Sequence, residues 1–278
     1  MKLLAVVITY YPDLALLREN ILKYIDFVDK LVIWENTPVF EREKYSIHFA
    51  DYENKIMYKG TMKNEGIAYP LNVIAKWGIE KGYSHLLTMD QDSLFNDFRK
   101  YIYTVGQNVD QNNPMCYTPN PNNRFPKNGN IFYLDPITSG AIYDLRIFSV
   151  VGFFKEQYFI DAIDTEFCYR CHINDVKTLL ISDSLIIQRF GDTSKTKFGI
   201  YISNYSSFRI YYIIRNHIFL WREYSHIMPK DKKKWFFYSV LLKWPFKILL
   251  LEKNKKVKIE SYLKGLLVGL FTRIERRL

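Results

Sequence analysis

Cysteine is scarce in this chain: three thiols, Cys116, Cys168 and Cys171, stand among 278 residues. They are too few and too odd in number for a disulfide framework, and they fit a reducing compartment. Cys168-Tyr169-Arg170-Cys171-His172 does spell Cys-x-x-Cys-His, the attachment pattern of c-type haem. Such attachment goes with export. Met1 to Tyr11 has one lysine and a short apolar stretch, with no small-residue cleavage site before Pro12 and Asp13, so no haem is expected. Two cysteines and one histidine also leave a structural zinc site short of its fourth ligand. Long apolar runs are missing too: Trp235 to Leu251 is interrupted by Lys243, Pro245 and Lys247, and Tyr262 to Phe271 by Lys264. Neither reaches the roughly 18 uninterrupted apolar residues of a spanning helix. The five histidines are scattered, with no nucleophile–base arrangement, and no internal repeat is present.

What is present is a 48% apolar composition, enough at this length to bury a substantial core and to exclude disorder. The formal net charge is +10, but residues 1–221 hold 24 Lys and Arg against 24 Asp and Glu, while the last 57 residues hold 15 against 5. The larger part is neutral and the tail is basic. With no base-reading motif beside it, that distribution argues against a nucleic-acid partner.

Leu3 to Thr9 is a continuous apolar, β-branched run bounded by Tyr10-Tyr11-Pro12, the pattern of a strand buried on both faces. Pro12 and Asp13 open a helix with Leu14, Leu17, Ile21, Leu22 and Ile25 on one side. Lys30 to Trp34 and Lys55 to Tyr58 predict further strands, Gly66 to Lys81 a helix, and His85 to Met89 a strand that breaks at Asp90. A helix from about Leu94 to Val109 and an irregular loop from Asn112 to Asn130 are expected next, then a helix through Ile173 and a strand from Leu179 to Ile187. Alternating strands and helices of these lengths describe a parallel, doubly wound α/β sheet, whose ligands sit beyond the carboxyl ends of the strands. Thr9-Tyr10, Glu35-Asn36 and Asp90-Gln91-Asp92 all fall at such ends.

Asp90 and Asp92 stand at i and i+2 where a buried strand reaches the sheet edge. Two carboxylates so spaced can converge on one hard divalent cation and leave its other positions for phosphate oxygens. An ordinary turn followed by a Ser93 helix cap would use the same residues.

Taken in order, these segments resemble the family 2 glycosyltransferases of GT-A fold, and within them the bacterial rhamnosyltransferase-like group. The resemblance runs from Leu3 to about Tyr224. It rests on Ile8-Thr9-Tyr10-Tyr11-Pro12, Glu35-Asn36, Asn64-Glu65-Gly66-Ile67-Ala68 with Asn72, and Asp90-Gln91-Asp92. Further matches are Thr138-Ser139-Gly140, Phe159 to Arg170, Phe190-Gly191-Asp192, and Arg209 to Asn216. It implies a mixed sheet flanked by helices and an inverting transfer from a nucleotide-sugar donor, best matched by dTDP-rhamnose. A lipid-linked oligosaccharide of a bacterial surface polysaccharide would be the acceptor, and another sugar, such as galactofuranose or glucose, is the alternative donor group.

Carried over position by position, the resemblance makes Thr9, Tyr10, Tyr11, Glu35, Asn36 and Gly66 donor contacts, with Asp90, Gln91 and Asp92 at the diphosphate and a Mg²⁺ or Mn²⁺ ion. Gln188 stands where many members have a metal-binding histidine. Its amide oxygen can still ligate such an ion, without imidazole basicity. Asp164 falls at the general base, with Asp161, Glu166, Ser139 and Gly140 in the acceptor or phosphate region and Arg209 or Arg215 as phosphate partners. Asp164 could equally cap its helix, with Glu166 favouring the dipole, and the two arginines could be solvated or paired.

A GT-A-like nucleotidyltransferase would share the carboxylates. It would want a Gly-rich, basic loop after the first strand, where this chain has Tyr10-Tyr11-Pro12-Asp13. The expected division is a catalytic domain over 1–224 and a basic, amphipathic helical segment over 225–278. Lys230 and Lys232 to Lys234 precede Trp235 to Tyr238, and Lys253, Lys255, Lys256 and Lys258 precede the apolar Tyr262–Phe271 stretch. Such clusters beside apolar faces suit a helix lying on an anionic membrane, which predicts a cytoplasmic protein peripheral to the inner face of the plasma membrane. The other reading is helices packed on the catalytic domain with solvated lysines.

Overall fold

The computed structural model describes residues 1–39, 42–127, 129–132, 137–188, 194–195, 201–202 and 204–274. The chain forms two compact units, one of Met1–Glu156 with Ile163–Arg189 and one of Gln157–Ala162 with Phe190–Leu278.

The first unit is built on one mixed sheet. Its strands are β1 (Leu3–Thr9), β2 (Lys30–Glu35), β3 (Ile56–Gly60), β4 (His85–Asp90), β5 (Leu94–Phe95), β6 (Cys116–Pro121), β7 (Asn130–Phe132), β8 (Ile142–Asp144) and β9 (Thr178–Ile187). They run in the order β3-β2-β1-β4-β8-β6-β9-β5, with β7 also paired to β9. β1 lies parallel to both β2 and β4 and is buried at all seven residues, which is why its sequence does not alternate. Its register sets Thr9 beside Glu35 and Ile8 beside Asp90. Three strand ends therefore share one edge.

The helices of this unit are α1 (Leu14–Leu22), α2 (Arg42–His48), α3 (Ala68–Glu80), α4 (Phe98–Gln107), α5 (Ile147–Val151) and α6 (Ile163–Ile173). Asp13 caps α1, its carboxylate accepting from the N–H groups of Ala15 and Leu16. The segment 94–109 differs from its expectation. Leu94 and Phe95 pair with Ile187 and Ile186 of β9, and Asp97 caps α4 by accepting from the Lys100 N–H. Ser93 is therefore not a helix cap. The supposed loop over 112–130 contains β6, buried at all six residues. Its Pro119 and Pro121 disguise it, because proline is rare inside a sheet away from a bulge. Here the register with β9 shifts between Pro119 and Asn120.

The second unit holds α7 (Ser207–Tyr224), α8 (Lys230–Trp235), a π-helical segment over Phe236–Lys243, α9 (Trp244–Leu251) and α10 (Lys255–Phe271), with a small ladder of Ser194–Lys195 and Tyr201–Ile202. Ile210, Ile214 and Ile218 of α7 pack with Phe236, Val240, Ile248 and Tyr262. α7 thus shares a core with the helices that follow it, where the sequence suggested a division at 224. Phe190, Gly191 and Asp192 lie outside the described residues. No helix among the described residues is long and apolar enough to cross a membrane.

Candidate active site

The strand ends of the first unit are tied together by side chains of the loops themselves. Gln91 accepts from the Tyr10 N–H at 2.7 Å through Oε1 and donates to the Tyr10 carbonyl at 3.2 Å through Nε2. Asn20 of α1 donates to the Gln91 carbonyl at 2.8 Å. The loops after β1 and β4 are thereby fixed to each other, with Tyr10 and Tyr11 left exposed in an edge-to-face pair at 4.7 Å. Tyr11 sits at φ 45°, in the left-handed region that a non-glycine residue seldom adopts. Its N–H donates to Thr37 Oγ1 at 2.9 Å.

Glu35 and Asn36 are buried at the end of β2. Thr37 donates to Glu35 Oε1 through its N–H at 2.7 Å and through its hydroxyl, and the Tyr45 hydroxyl donates to Oε2. Burial and the Glu35 hydrogen bond together push the Tyr45 phenol well above its usual value. Asn36 donates to the Gly66 carbonyl at 2.7 Å and accepts from Trp34 Nε1 and the Glu65 N–H. Thr9 is also fully buried, its hydroxyl donating to the Trp34 carbonyl at 3.2 Å. Both carboxylate oxygens of Glu35 have donors within the protein, so it shapes this loop. Tyr45 went unrecognised in the sequence, where it sits in a polar helical stretch with nothing to mark it.

Asp90 and Asp92 are half-buried at the end of β4. The Asp90 N–H donates to Ser139 Oγ at 3.0 Å, and Gln188 Nε2 donates to Asp90 Oδ2 at 3.0 Å. Gln188 Oε1 is buried without a hydrogen-bond partner. Among the described residues no three His, Cys, Asp or Glu side chains gather around one point; for this amide oxygen to join Asp90 and Asp92 on a cation the amide would have to turn over, since Nε2 faces Asp90. Two carboxylates and a neutral oxygen suit a hard divalent ion.

The Thr138-Ser139-Gly140 turn bridges Asp90 and Asp164. The Thr138 N–H donates to Asp164 Oδ2 at 3.2 Å, while its carbonyl accepts from the Thr88 hydroxyl. Gly140 is required here. It has φ 80°, and a Cβ would lie within 2.9 Å of Pro119, Ile186 and Phe95. Asp164 opens α6, accepts from the Thr165 N–H at 2.8 Å, and profits from the helix N-terminus.

Glu166 stands two residues further along α6, on another side of the helix, and is only 1% exposed, ion-paired with Lys155 at 3.2 Å and Arg170 at 2.8 Å. Cys168 and Cys171 are buried on the same helix, and burial pushes the Cys171 thiol up to about 12.

Asp161, Arg209 and Arg215 belong to the second unit. Arg209 binds Asp161 through Nε at 3.2 Å and Nη2 at 3.0 Å. Arg215 is buried, donating to the Gln157 and Tyr158 carbonyls, with its guanidinium 4.5 Å from the Tyr212 ring centroid. Asn216 donates to the carbonyls of Tyr158, Ile160 and Asp161 at 2.7–2.8 Å. Those bonds hold Phe159, Asp161 and Ala162 at positive φ, a conformation that costs about 1–3 kcal/mol per residue.

No protein-family profile matches the chain. Over 243 residues it is 30% identical to the dTDP-rhamnosyl transferase RfbF of Shigella flexneri, a match covering 80% of each protein. Residues 1–349 of S. aureus TarS superimpose with a TM-score of 0.57 at 15% identity, over 97% of this chain and 81% of that one. A structure of GalNAc-T7 with UDP, GalNAc and Mn²⁺ gives a TM-score of 0.60 at 11% identity, over 97% of this chain and 56% of that one. At those identities the likeness is one of fold.

Proposed function

Because the chain belongs to the family 2 glycosyltransferases of GT-A fold, we propose that it transfers L-rhamnose from dTDP-rhamnose to a lipid-linked saccharide, with inversion, in bacterial surface-polysaccharide synthesis. The observation that carries the sugar is the match to a dTDP-rhamnosyl transferase along 80% of the chain. Work at the cytoplasmic face of the plasma membrane follows from that acceptor.

In this reading the exposed rings of Tyr10 and Tyr11 meet the nucleoside, on a loop shaped by Thr9, Glu35, Asn36 and Gly66. Gln91 keeps that loop in register with Asp90 and Asp92, which hold the diphosphate end. A Mg²⁺ or Mn²⁺ ion bound by Asp90, Asp92 and the Gln188 amide oxygen would neutralise charge on the departing diphosphate. Asp164 takes the proton from the acceptor hydroxyl as that oxygen bonds to the anomeric carbon on the face opposite the nucleotide. The bond from that carbon to the diphosphate breaks with its electron pair, releasing dTDP. Thr138 steadies the base, and Ser139 and Gly140 fix the turn between base and diphosphate. Glu166, held by Lys155 and Arg170, supports the helix that carries the base. Asp161, Arg209 and Arg215 shape the acceptor segment over 157–162.

A thermal-shift panel of nucleotide sugars with and without Mg²⁺ or Mn²⁺ tests the donor, since a ligand that binds only the folded state raises its stability by mass action. dTDP-rhamnose should raise the Tm more than UDP-glucose, UDP-N-acetylglucosamine or GDP-mannose. A larger shift with one of those would overturn the sugar, and a product retaining the donor's anomeric configuration would overturn the single displacement.

A further inference from the structure

α10 is fastened to its unit by one narrow stripe. Gly265 and Gly269 face α7 so closely that a Cβ would lie 2.8 Å from the Tyr211 carbonyl oxygen and 2.9 Å from Ile218. Tyr262, on the same stripe, donates its hydroxyl to the Leu241 carbonyl at 3.1 Å. Arg222 of α7 binds the carbonyls of Gly269 at 2.7 Å and Thr272 at 2.8 Å, which closes the C-terminal end of α10. Besides the glycines the helix buries Tyr262 and Lys258 and packs Ile259 and Leu266 partly against the core, while its other large apolar side chains turn outward.

Those outward side chains are Leu263, Leu267, Leu270 and Phe271, each more than half exposed, with Phe271 at 79%. Their spacing of i, i+4, i+7 and i+8 places them on one face of the helix. On the preceding helix Phe246 and Leu250 are likewise exposed, at 64% and 71%. Solvated apolar surface of this extent marks an interaction site rather than a finished exterior.

Charge selects the partner. Lys256 and Lys264 fall on the same face of α10 by helical spacing, and Lys253 and Lys255 stand exposed at its start. Glu260, the one acidic residue of α10, falls on that face as well, four residues from each of Lys256 and Lys264, and the lysines outnumber it. A cationic border around a Leu and Phe stripe matches the anionic headgroups and acyl chains of a bilayer surface. Among the described residues no helix reaches spanning length and hydropathy. The geometry points to a monotopic membrane-docking face made by the outer side of α10 with α9, seated in an anionic lipid surface and lying in its plane. The inference builds on the proposed lipid-linked acceptor for its purpose, but its test uses neither sugar nucleotide nor acceptor.

The test is vesicle co-flotation of the full chain with phosphatidylglycerol–phosphatidylcholine and with pure phosphatidylcholine liposomes. The wild type should float with the anionic vesicles at low salt, stay down with the neutral ones, and lose affinity as salt screens its lysines. Leu267→Glu/Phe271→Glu should lower partitioning about tenfold or more at unchanged Tm, because both side chains face water. Lys253→Gln/Lys255→Gln/Lys256→Gln should weaken it by several-fold, whereas Ile47→Glu, an equally exposed apolar position in the first unit, should leave it unaltered. Wild type that remains with the pellet at low salt overturns the proposal. So does equal flotation of the Leu267/Phe271 variant, or a loss of self-association in that variant with no change in flotation, which would assign the face to a second copy of the chain. Failure of dTDP-rhamnose as donor would leave all these outcomes untouched.

Discussion

The backbone N–H of Asp90 donates to the hydroxyl of Ser139 at 3.0 Å, so the first carboxylate of the Asp90-Gln91-Asp92 turn is held by a residue 49 positions downstream. The adjoining Thr138 N–H reaches Asp164. One three-residue turn thus sets the carboxylate proposed for the diphosphate and the proposed base in a common frame. Ser139→Ala should leave the Asp90 N–H without its acceptor, costing about 1–3 kcal/mol if no water replaces it. The KM for donor is expected to rise several-fold with a smaller loss in kcat. Steady-state kinetics beside a melting curve would separate this from general destabilisation, and an unchanged KM would remove Ser139 from the donor site.

Asp164→Asn keeps the size of the side chain and removes its basicity. Donor binding should be nearly intact and turnover should fall by roughly 10²–10⁴-fold, the usual worth of a positioned base. Donor titration by calorimetry with single-turnover assays checks both halves. Turnover within a few-fold of wild type would transfer the role to another carboxylate.

Asp92→Ala should weaken donor binding far more than it lowers the Tm, since the side chain is half-buried at a strand end and outside the apolar core. EDTA should reduce activity, and Gln188→Ala should raise the metal concentration needed for half-maximal rate. If donor affinity ignores chelator and both substitutions, the diphosphate is held without a metal.

Burial holds the His85 imidazole well below its usual range, at about 4; Asp144 opposes the shift, while Arg146 and the N-terminal amine reinforce it. The folded state therefore keeps this ring neutral where the unfolded chain would protonate it. Its stabilising contribution is complete above about pH 6.5 and is lost as the pH falls toward 4, to the extent of about 3 kcal/mol. Melting temperatures of wild type and His85→Gln between pH 7 and 4 should converge on the acid side. Parallel curves would place the titrating group elsewhere.

Much of the first unit was legible because its burial is total or periodic. Leu3 to Thr9 has no polar residue before its last position, and the structure buries all seven residues as β1. The carboxylates of Asp90 and Asp92 were equally visible, because polar groups interrupt an apolar run where the sheet ends. β6 was hidden by Pro119 and Pro121, whose place in a buried strand depends on a bulge that only the pairing with β9 reveals. The hydrogen bonds that draw Glu35 inward involve Tyr45, ten residues away across a loop, and no local pattern marks that distance. The charge of Arg215, which suggested either a phosphate partner or a paired side chain, is legible in a sequence. Its burial among backbone carbonyls and rings is not.

The segment Gln157–Ala162 lies in the second unit while both of its flanks lie in the first, so the chain passes between units three times. That threading limits how such a protein can be recombined. A chimaera joined at residue 190 would import Arg215 and Asn216 from one parent and the carbonyls of Tyr158, Ile160 and Asp161 from the other. Three left-handed residues would then depend on hydrogen bonds between sequences that had never been selected together. Exchange of the C-terminal unit as a cassette must therefore carry residues 157–162 with it, two insertions in place of one crossover.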